Sequence, residues 1–461
     1  MNVQVKTEIP RCPGAPTFQE IMRSDGGIIK DVLAAQSNPP QSRDDIPFEK
    51  YISQDFANLE MKKMWEKVWQ YVCREDQVAE PGDYLVYDIG HHSIVVVRTD
   101  DGALKAYHNS CLHRGTKLKP SESSGWSANI QCPYHGWTWN LDGTLNEVPC
   151  SWEFPHLDYE KNRLPEVQVD AWNGLVFINM DLNGPSLLEY LGVLPEHFKD
   201  WPWTDWYLFM HLEKELYCNW KTAQEAFMEA YHTPLVHPEL TQVVGDWNMQ
   251  HDVFDDHVTR DLCALAVASP AAKKKISEQE RIDRVMLGGR SPDGKSVTLE
   301  EGQSARNAMA KQVRKALTDG FGMDTSSFSD AEMIDSIKYN LFPNIFLYTG
   351  MALRSIHRVK PIKNDPNRCT FEVLMMRPVP KGQPRPDPAQ MVKIPEDMNY
   401  VDVKELAAFP LSQITFDQDT GNLRAQHEGM LASAKGAETL SIYQESRIRA
   451  FHDTLDKYIN R

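Results

Sequence analysis

Two Cys/His pairs constrain this 461-residue chain more than any other feature: Cys111-x-His113 and Cys132-x-x-His135. Each is placed to come from its own loop among short, alternating, strand-like runs. Tyr84–Ile89, Ser93–Arg98 and Ala103–His108 read as strands, the last two separated by the turn signal Asp101-Gly102. Asp142-Gly143 likewise separates Trp137–Leu141 from Thr144–Val148. The pattern predicts a small β domain over roughly 70–165, with Gly174–Met180 as one more strand leading away from it. Two thiolates and two neutral imidazoles suit a tetrahedral structural Zn(II). They equally suit a [2Fe–2S] cluster in which two histidines replace two cysteines on one iron. Spacing alone does not separate the two.

A second constellation lies in Glu225–His237, read E-A-F-M-E-A-Y-H-T-P-L-V-H. Asn219 is a helix N-cap candidate, and the residues after it are mostly good helix formers. Glu225, Glu229 and His232 fall at i, i+4 and i+7, on one helical face. Trp220, Phe227 and Tyr231 lie on other faces and read as core contacts. Pro234 disfavours helix at Thr233, so the helix is expected to end near His232, with a turn swinging His237 back. Two imidazoles plus one distant carboxylate, with open positions left over, suit non-haem Fe(II) and O2 chemistry. An amphipathic helix with an acidic solvated face is the plainer reading.

A formal charge of −16 argues against nucleic acid and against an anionic membrane surface as partners. No apolar run approaches the length of a membrane span, and the first residues lack a signal-peptide core. Eight cysteines are sparse for this length, so a reducing cytoplasm is expected rather than a disulfide framework.

The chain is long enough for two or three domains. Residues 1–69 read as an N-terminal arm with at most one short helix near 17–35, then a helix over 54–70. That helix carries Phe56, Leu59, Met64 and Val68 on its apolar stripe. Residues 271–335 are polar and Gly-interrupted, with a helix over 303–319, and read as an insertion that covers a site mouth or as a solvated excursion. Trp247, Met249, Phe254, Leu262 and Leu265 read as helical core or as the lining of an apolar pocket.

HRG after the first Cys/His pair and PYHGW around the second closely resemble the loops of Rieske [2Fe–2S] domains. With NWKTAQEAFMEAYHTPLVH, FPNIFLY and RSIHRVKPIKNDPN, nearly the whole chain resembles the large (α) subunit of a Rieske non-haem iron oxygenase. That group includes the aromatic-ring-hydroxylating dioxygenases. The resemblance implies an α+β fold: a Rieske β domain over 70–165, then a helix-grip (START/Bet v 1-like) catalytic domain over 166–461 with an antiparallel sheet.

By the same resemblance Cys111, His113, Cys132 and His135 bind the [2Fe–2S] cluster, and His232, His237 and Asp419 bind a mononuclear Fe(II), with Asp417 as runner-up. Glu229 stands where the family usually has an Asp linking one subunit's cluster to its neighbour's iron. A similar Glu occurs in some Rieske monooxygenases acting on quaternary ammonium compounds. The eighteen residues between His113 and Cys132 are a little more than usual, which implies a loop insertion around Ser121–Ser127.

The implied system takes O2 and electrons from NAD(P)H through a separate reductase, with or without a ferredoxin. This chain carries no G-x-G-x-x-G fingerprint to bind the nucleotide itself. A homotrimer, or an α3β3 assembly with a small β subunit, is implied. The first expectation is hydroxylation, as a cis-diol, of an aromatic or other apolar substrate. The alternative is monooxygenation or oxidative demethylation of an N- or O-methyl or quaternary ammonium compound. A non-catalytic Rieske electron carrier and a zinc-stabilised binding protein are the remoter readings.

Overall fold

The computed structural model describes residues 12–37, 39–40, 42–286, 296–352 and 354–461. Seven antiparallel strands form the first sheet, in the spatial order Gln70–Arg74, Leu175–Asn179, Glu166–Trp172, Leu104–His108, His92–Arg98, Asp83–Ile89 and Ser124–Trp126. A three-stranded sheet, Ile130–Gln131, Thr138–Trp139 and Leu145–Glu147, sits beside it. Both Asp-Gly signals are turns. Gly143 has φ +81°, and a Cβ there would lie 2.6 Å from the Tyr107 ring, so only glycine fits.

The strand expected to lead away does not. Leu175–Asn179 returns antiparallel to Glu166–Trp172 and pairs on its other side with Gln70–Arg74. A boundary at 165 therefore cuts the sheet, whose pairing demands the strands up to Asn179.

The second sheet has eight strands, in the order Val244–Val253, Val258–Leu265, Ser336–Leu341, Ile345–Tyr348, Arg354–Pro361, Cys369–Pro378, Trp206–Leu216 and Met391–Ile394. All pairs are antiparallel except the last, where Met391–Ile394 runs parallel at the edge. The helices Trp220–Glu225 and Pro410–Ala432 lie against one another on this sheet. Arg358 ties the two sheets together. It pairs with both carboxylate oxygens of Glu372 at 2.9 and 2.6 Å and donates to the Tyr71 and Val72 carbonyls.

Several local expectations need correction. The N-terminal arm holds two short helices, Phe18–Ser24 and Asp31–Ala34, because Phe18, Met22 and Leu33 find burial against the catalytic domain. The 54–70 helix ends at Glu60 and widens into a π-type turn over Met61–Trp65. The π-type turn buries Met61, Met64 and Trp65, while on the helix before it Glu60 is buried against Trp220 and Lys221 and Leu59 is 38% exposed. Met249, Leu262 and Leu265 lie on strands rather than helices.

In 271–335, the expected helix is Ala305–Phe321, and Glu278–Val285 and Asp330–Ile334 accompany it. Arg306 is buried and pairs with Asp25 at 2.6 Å and Asp335 at 2.7 Å, so this layer is packed, not a solvated excursion. Residues 287–295 of the segment lie outside the described residues. Among the described residues no helix is long and apolar enough to cross a membrane.

Candidate metal centres

The two Cys/His loops have the same backbone construction. Gly115 N–H donates to Cys111 O (2.8 Å) and Gly136 N–H to Cys132 O (3.1 Å). The next bond closes each loop: Cys111 N–H to Thr116 O, and Cys132 N–H to Trp137 O, at 2.9 and 2.8 Å. Gly115 and Gly136 have φ of +80° and +75°, the left-handed conformation that glycine takes without strain. The "HRG" and "HGW" glycines are therefore hinges that turn the loops over.

The loops bring His113 and His135 to a ring separation of 4.7 Å. Cys111 and Cys132 are buried side by side, and burial together with the neighbouring thiol pushes the Cys111 thiol up. Trp137 stacks on His113 with ring centres 5.1 Å apart and planes 4° off parallel. His113 Nδ1 is buried without a hydrogen-bond partner. An orphaned imidazole nitrogen beside two adjacent thiols is a donor set that a metal group completes, and a [2Fe–2S] cluster fits it.

The second site begins where a helix stops. Asn219 caps the Trp220–Glu225 helix, its side chain accepting from Lys221 N–H. The helix was expected to continue to His232, and it does not. In a continued helix the Tyr231 and His232 N–H groups would donate to Phe227 O and Met228 O. Those carbonyls are taken instead by Lys338 Nζ (2.5 Å) and Arg447 Nη1 (3.1 Å). Glu229 Oε2 replaces them, accepting from the N–H of Tyr231 and, at 3.1 Å, of His232. Side chains thus satisfy both halves of the broken ladder. A second helical turn, Thr233–Val236, carries Pro234 at its start, where a missing N–H costs nothing.

The shared-face argument changes accordingly. Glu229 and His232 remain in contact, Oε1 against Nδ1. Glu225 turns away and is buried with Tyr51 Oη at 2.8 Å and His452 Nε2 at 2.7 Å. Burial lifts Glu225 to about 8. Tyr231, expected in the core, is 54% exposed, because the break rotates it outward.

His232, His237 and Asp419 come together. Asp419 Oδ1 lies 2.7 Å from His237 Nε2 and 3.3 Å from His232 Nε2, and the three ligand atoms are all within 4.8 Å of one another. Donors about 2.1 Å from one ion and at right angles lie roughly 3 Å apart, so these distances suit one shared metal. Burial opposes charge on His232, yet the hydrogen bonds its N–H groups donate to Asp419 and Glu229 outweigh it and raise it to about 10. Burial likewise opposes ionisation of Asp419, which the two imidazoles nonetheless hold below its ordinary range. The pocket is built for positive charge.

Asp419 sits in the Pro410–Ala432 helix rather than in a turn. Asp417 faces elsewhere and accepts from the Tyr400 and Val401 N–H groups at 2.6 and 3.0 Å. Sequence reasoning missed Gln418, whose Oε1 lies 2.7 Å from His237 Nδ1. Its position beside Asp419 was the available signal. Both imidazoles therefore present Nε2 inward while an acceptor holds Nδ1, the arrangement that fixes a ligating histidine's tautomer and orientation.

Comparison with known proteins agrees with these two centres. Residues 68–158 match the Rieske [2Fe-2S] domain, and residues 203–461 match the ring hydroxylating alpha subunit (catalytic domain). The chain is 26% identical over 300 residues to the glycine betaine monooxygenase oxygenase subunit of Pseudomonas aeruginosa, covering 62% of this chain and 68% of that one. It is 32% identical over 188 residues to the chlorobenzene dioxygenase subunit alpha of a Cupriavidus species, covering 40% and 42%. The fold is similar to that of the quaternary ammonium Rieske monooxygenase CntA in complex with L-carnitine, with a TM-score of 0.62 at 19% identity over 90% of this chain and 95% of that one. The chain belongs to the ring-hydroxylating α-subunit family, Rieske oxygenases that carry a [2Fe–2S] domain and a mononuclear-iron catalytic domain.

Proposed function

We propose that this oxygenase inserts one oxygen atom at a carbon bonded to a quaternary ammonium nitrogen. The observation that carries the site reading is the convergence of His232 Nε2, His237 Nε2 and Asp419 Oδ1, with Glu229 and Gln418 on the outer nitrogens. When bound at Cys111, His113, Cys132 and His135, the cluster supplies single electrons, and Fe(II) at the triad supplies O2 activation. Relatives acting on glycine betaine and carnitine, and a Glu rather than an Asp at 229, favour the ammonium reading over arene dihydroxylation. Dihydroxylation stays as the second reading because a chlorobenzene dioxygenase is also a relative.

In the proposed reaction a C–H bond becomes C–OH as O2, two electrons and two protons yield the hydroxylated substrate and water. The α-hydroxyalkyl ammonium then breaks its C–N bond and releases its hydroxyl proton to water, giving a tertiary amine and a carbonyl compound. Electrons come from NAD(P)H through a reductase, with or without a ferredoxin. The cluster loops face outward: Tyr134, beside His135, is 59% exposed. In a head-to-tail trimer that tip would meet the neighbouring chain's Glu229, the negative group next to His232, and closed symmetry would make every junction equivalent. Glu229 then holds the outer N–H of His232 on one side and accepts from a cluster histidine on the other.

Product analysis with the reconstituted system tests the reaction. Aldehyde and amine formed in step with O2 consumption from N-methyl ammonium compounds support it. A cis-diol from arenes, with no carbonyl product from ammonium compounds, overturns it in favour of the second reading.

A further inference from the structure

A hairpin tip of the Rieske domain gathers metal-ligating side chains that neither iron centre uses. Strands Asp83–Ile89 and His92–Arg98 end in the pair Ile89↔His92, joined by Gly90 and His91 alone. Gly90 has φ +58°, and a Cβ there would collide with the end of the Met61 side chain. The tip is thus pressed onto the π-type turn Met61–Trp65 of the N-terminal segment. Glu66 closes that turn, its N–H donating to Met61 O at 3.2 Å.

Consecutive side chains of an extended strand point to opposite faces. The tight turn instead sets the His91 and His92 rings side by side, with centres 4.0 Å apart. His92 Nε2 lies 3.1 Å from Glu66 Oε1. One ligand atom from each of Glu66, His91 and His92 lies within 4.8 Å of the other two. His91 is exposed, and the side chains of His92 and Glu66 are 16% and 32% exposed, so an ion reaches all three from solvent.

Donors about 2.0–2.2 Å from one tetrahedral Zn(II) lie roughly 3.4 Å apart, so His92 and Glu66 already stand at ligand spacing. His91, at the exposed tip, closes the remaining distance by turning its side chain. Metals bind the neutral imidazole, and partial burial, with His91 beside it, lowers the His92 value and favours that form. We propose that Glu66, His91 and His92 form a third metal site, for a divalent ion of the Zn(II) class with water completing its coordination. Imidazole and carboxylate donors suit that ion, and zinc binds such sets more tightly than Fe(II). The donors come from two segments, so the ion would clamp the N-terminal segment to the Rieske hairpin.

The experiment dialyses the intact protein, loaded with cluster and mononuclear iron, against zinc chloride and counts zinc bound and iron released. Native protein should take up one zinc per chain with its iron retained. Its thermal midpoint should rise, as an ion that binds only the folded state requires. His91→Ala removes an exposed donor, and Glu66→Gln removes the donor of the other segment. Each should weaken uptake at least about tenfold and cancel the rise in midpoint, with the cluster spectrum and iron content native. Either variant locates the ion, so failure of one to fold leaves the test standing. No uptake, or zinc gained only as iron leaves, overturns the proposal. Uptake unchanged in both variants also overturns it, since the ion then sits at other donors such as the exposed Cys150. Loss in His91→Ala with native uptake in Glu66→Gln overturns the clamp between the two segments.

Discussion

Gln418 Oε1 lies 2.7 Å from the Nδ1 of His237, and the next residue along the helix, Asp419, lies 2.7 Å from the Nε2 of the same ring. One helical step thus supplies both the acceptor that orients the imidazole and the carboxylate that shares its metal. Gln418→Ala should weaken iron binding at the triad by about ten- to a hundredfold and leave the cluster's visible spectrum unchanged. Iron titration of the metal-depleted protein measures this. Native affinity in the variant would mean that His237 is oriented by packing alone.

Asp419→Ala should lose the mononuclear iron with the cluster intact, because the site loses its anionic ligand. Asp417→Ala should keep the iron and cost about 1–3 kcal/mol of stability, since two backbone N–H groups at Tyr400 and Val401 lose their acceptor. Metal analysis beside denaturant melts separates the two. The reverse pattern would place the ligand at 417.

Glu229→Gln keeps an oxygen for the Tyr231 and His232 N–H groups but loses the charge between the two centres. The cluster should load and the triad should fill at saturating Fe(II), with weaker affinity because one of the two acceptors around His232 is lost, while turnover falls by about a hundredfold. In single-turnover experiments on the pre-reduced variant, product formation should lag well behind the native rate. Cluster oxidation and product at the native rate would leave Glu229 a capping residue only.

Glu225 and Glu438 share the Tyr51 hydroxyl, at 2.8 and 2.6 Å, and burial pushes both to about 8 from an ordinary 4.5. Raised folded values mean that their stabilising contribution is complete below about 4.5 and drains away as pH rises through 8. Native protein should therefore lose stability between pH 6 and 9, and Glu225→Gln should lose less over the same range. Urea midpoints at the two pH values decide this. Identical losses would show that Glu225 does not hold its proton.

Much of this was legible in the sequence because the ligands are local. The glycines of HRG and HGW, and the Asp-Gly turns, act through their own backbone, so loops and strands could be read where they stand. The helix through Glu225–His232 could not, since its end is decided by Lys338 and Arg447, more than a hundred residues away. Gln418 escaped for a similar reason: its partner, His237, is brought to it only by the fold. A period of 3.6 puts Leu59 and Tyr231 in the core; the backbone abandons that period after Glu225, and beside Leu59 it is Glu60 that turns inward, held by Trp220 and Lys221.

Iron and acid-labile sulfide analysis of the purified chain, read with its visible spectrum, tests the central claim that two metal centres occupy the two sites. The cluster contributes two irons and two sulfides, and the triad one further iron. The account expects a brown protein with three irons and two sulfides per chain. A colourless, zinc-containing protein would contradict the cluster assignment, and two irons that rise no further on adding Fe(II) would contradict the triad.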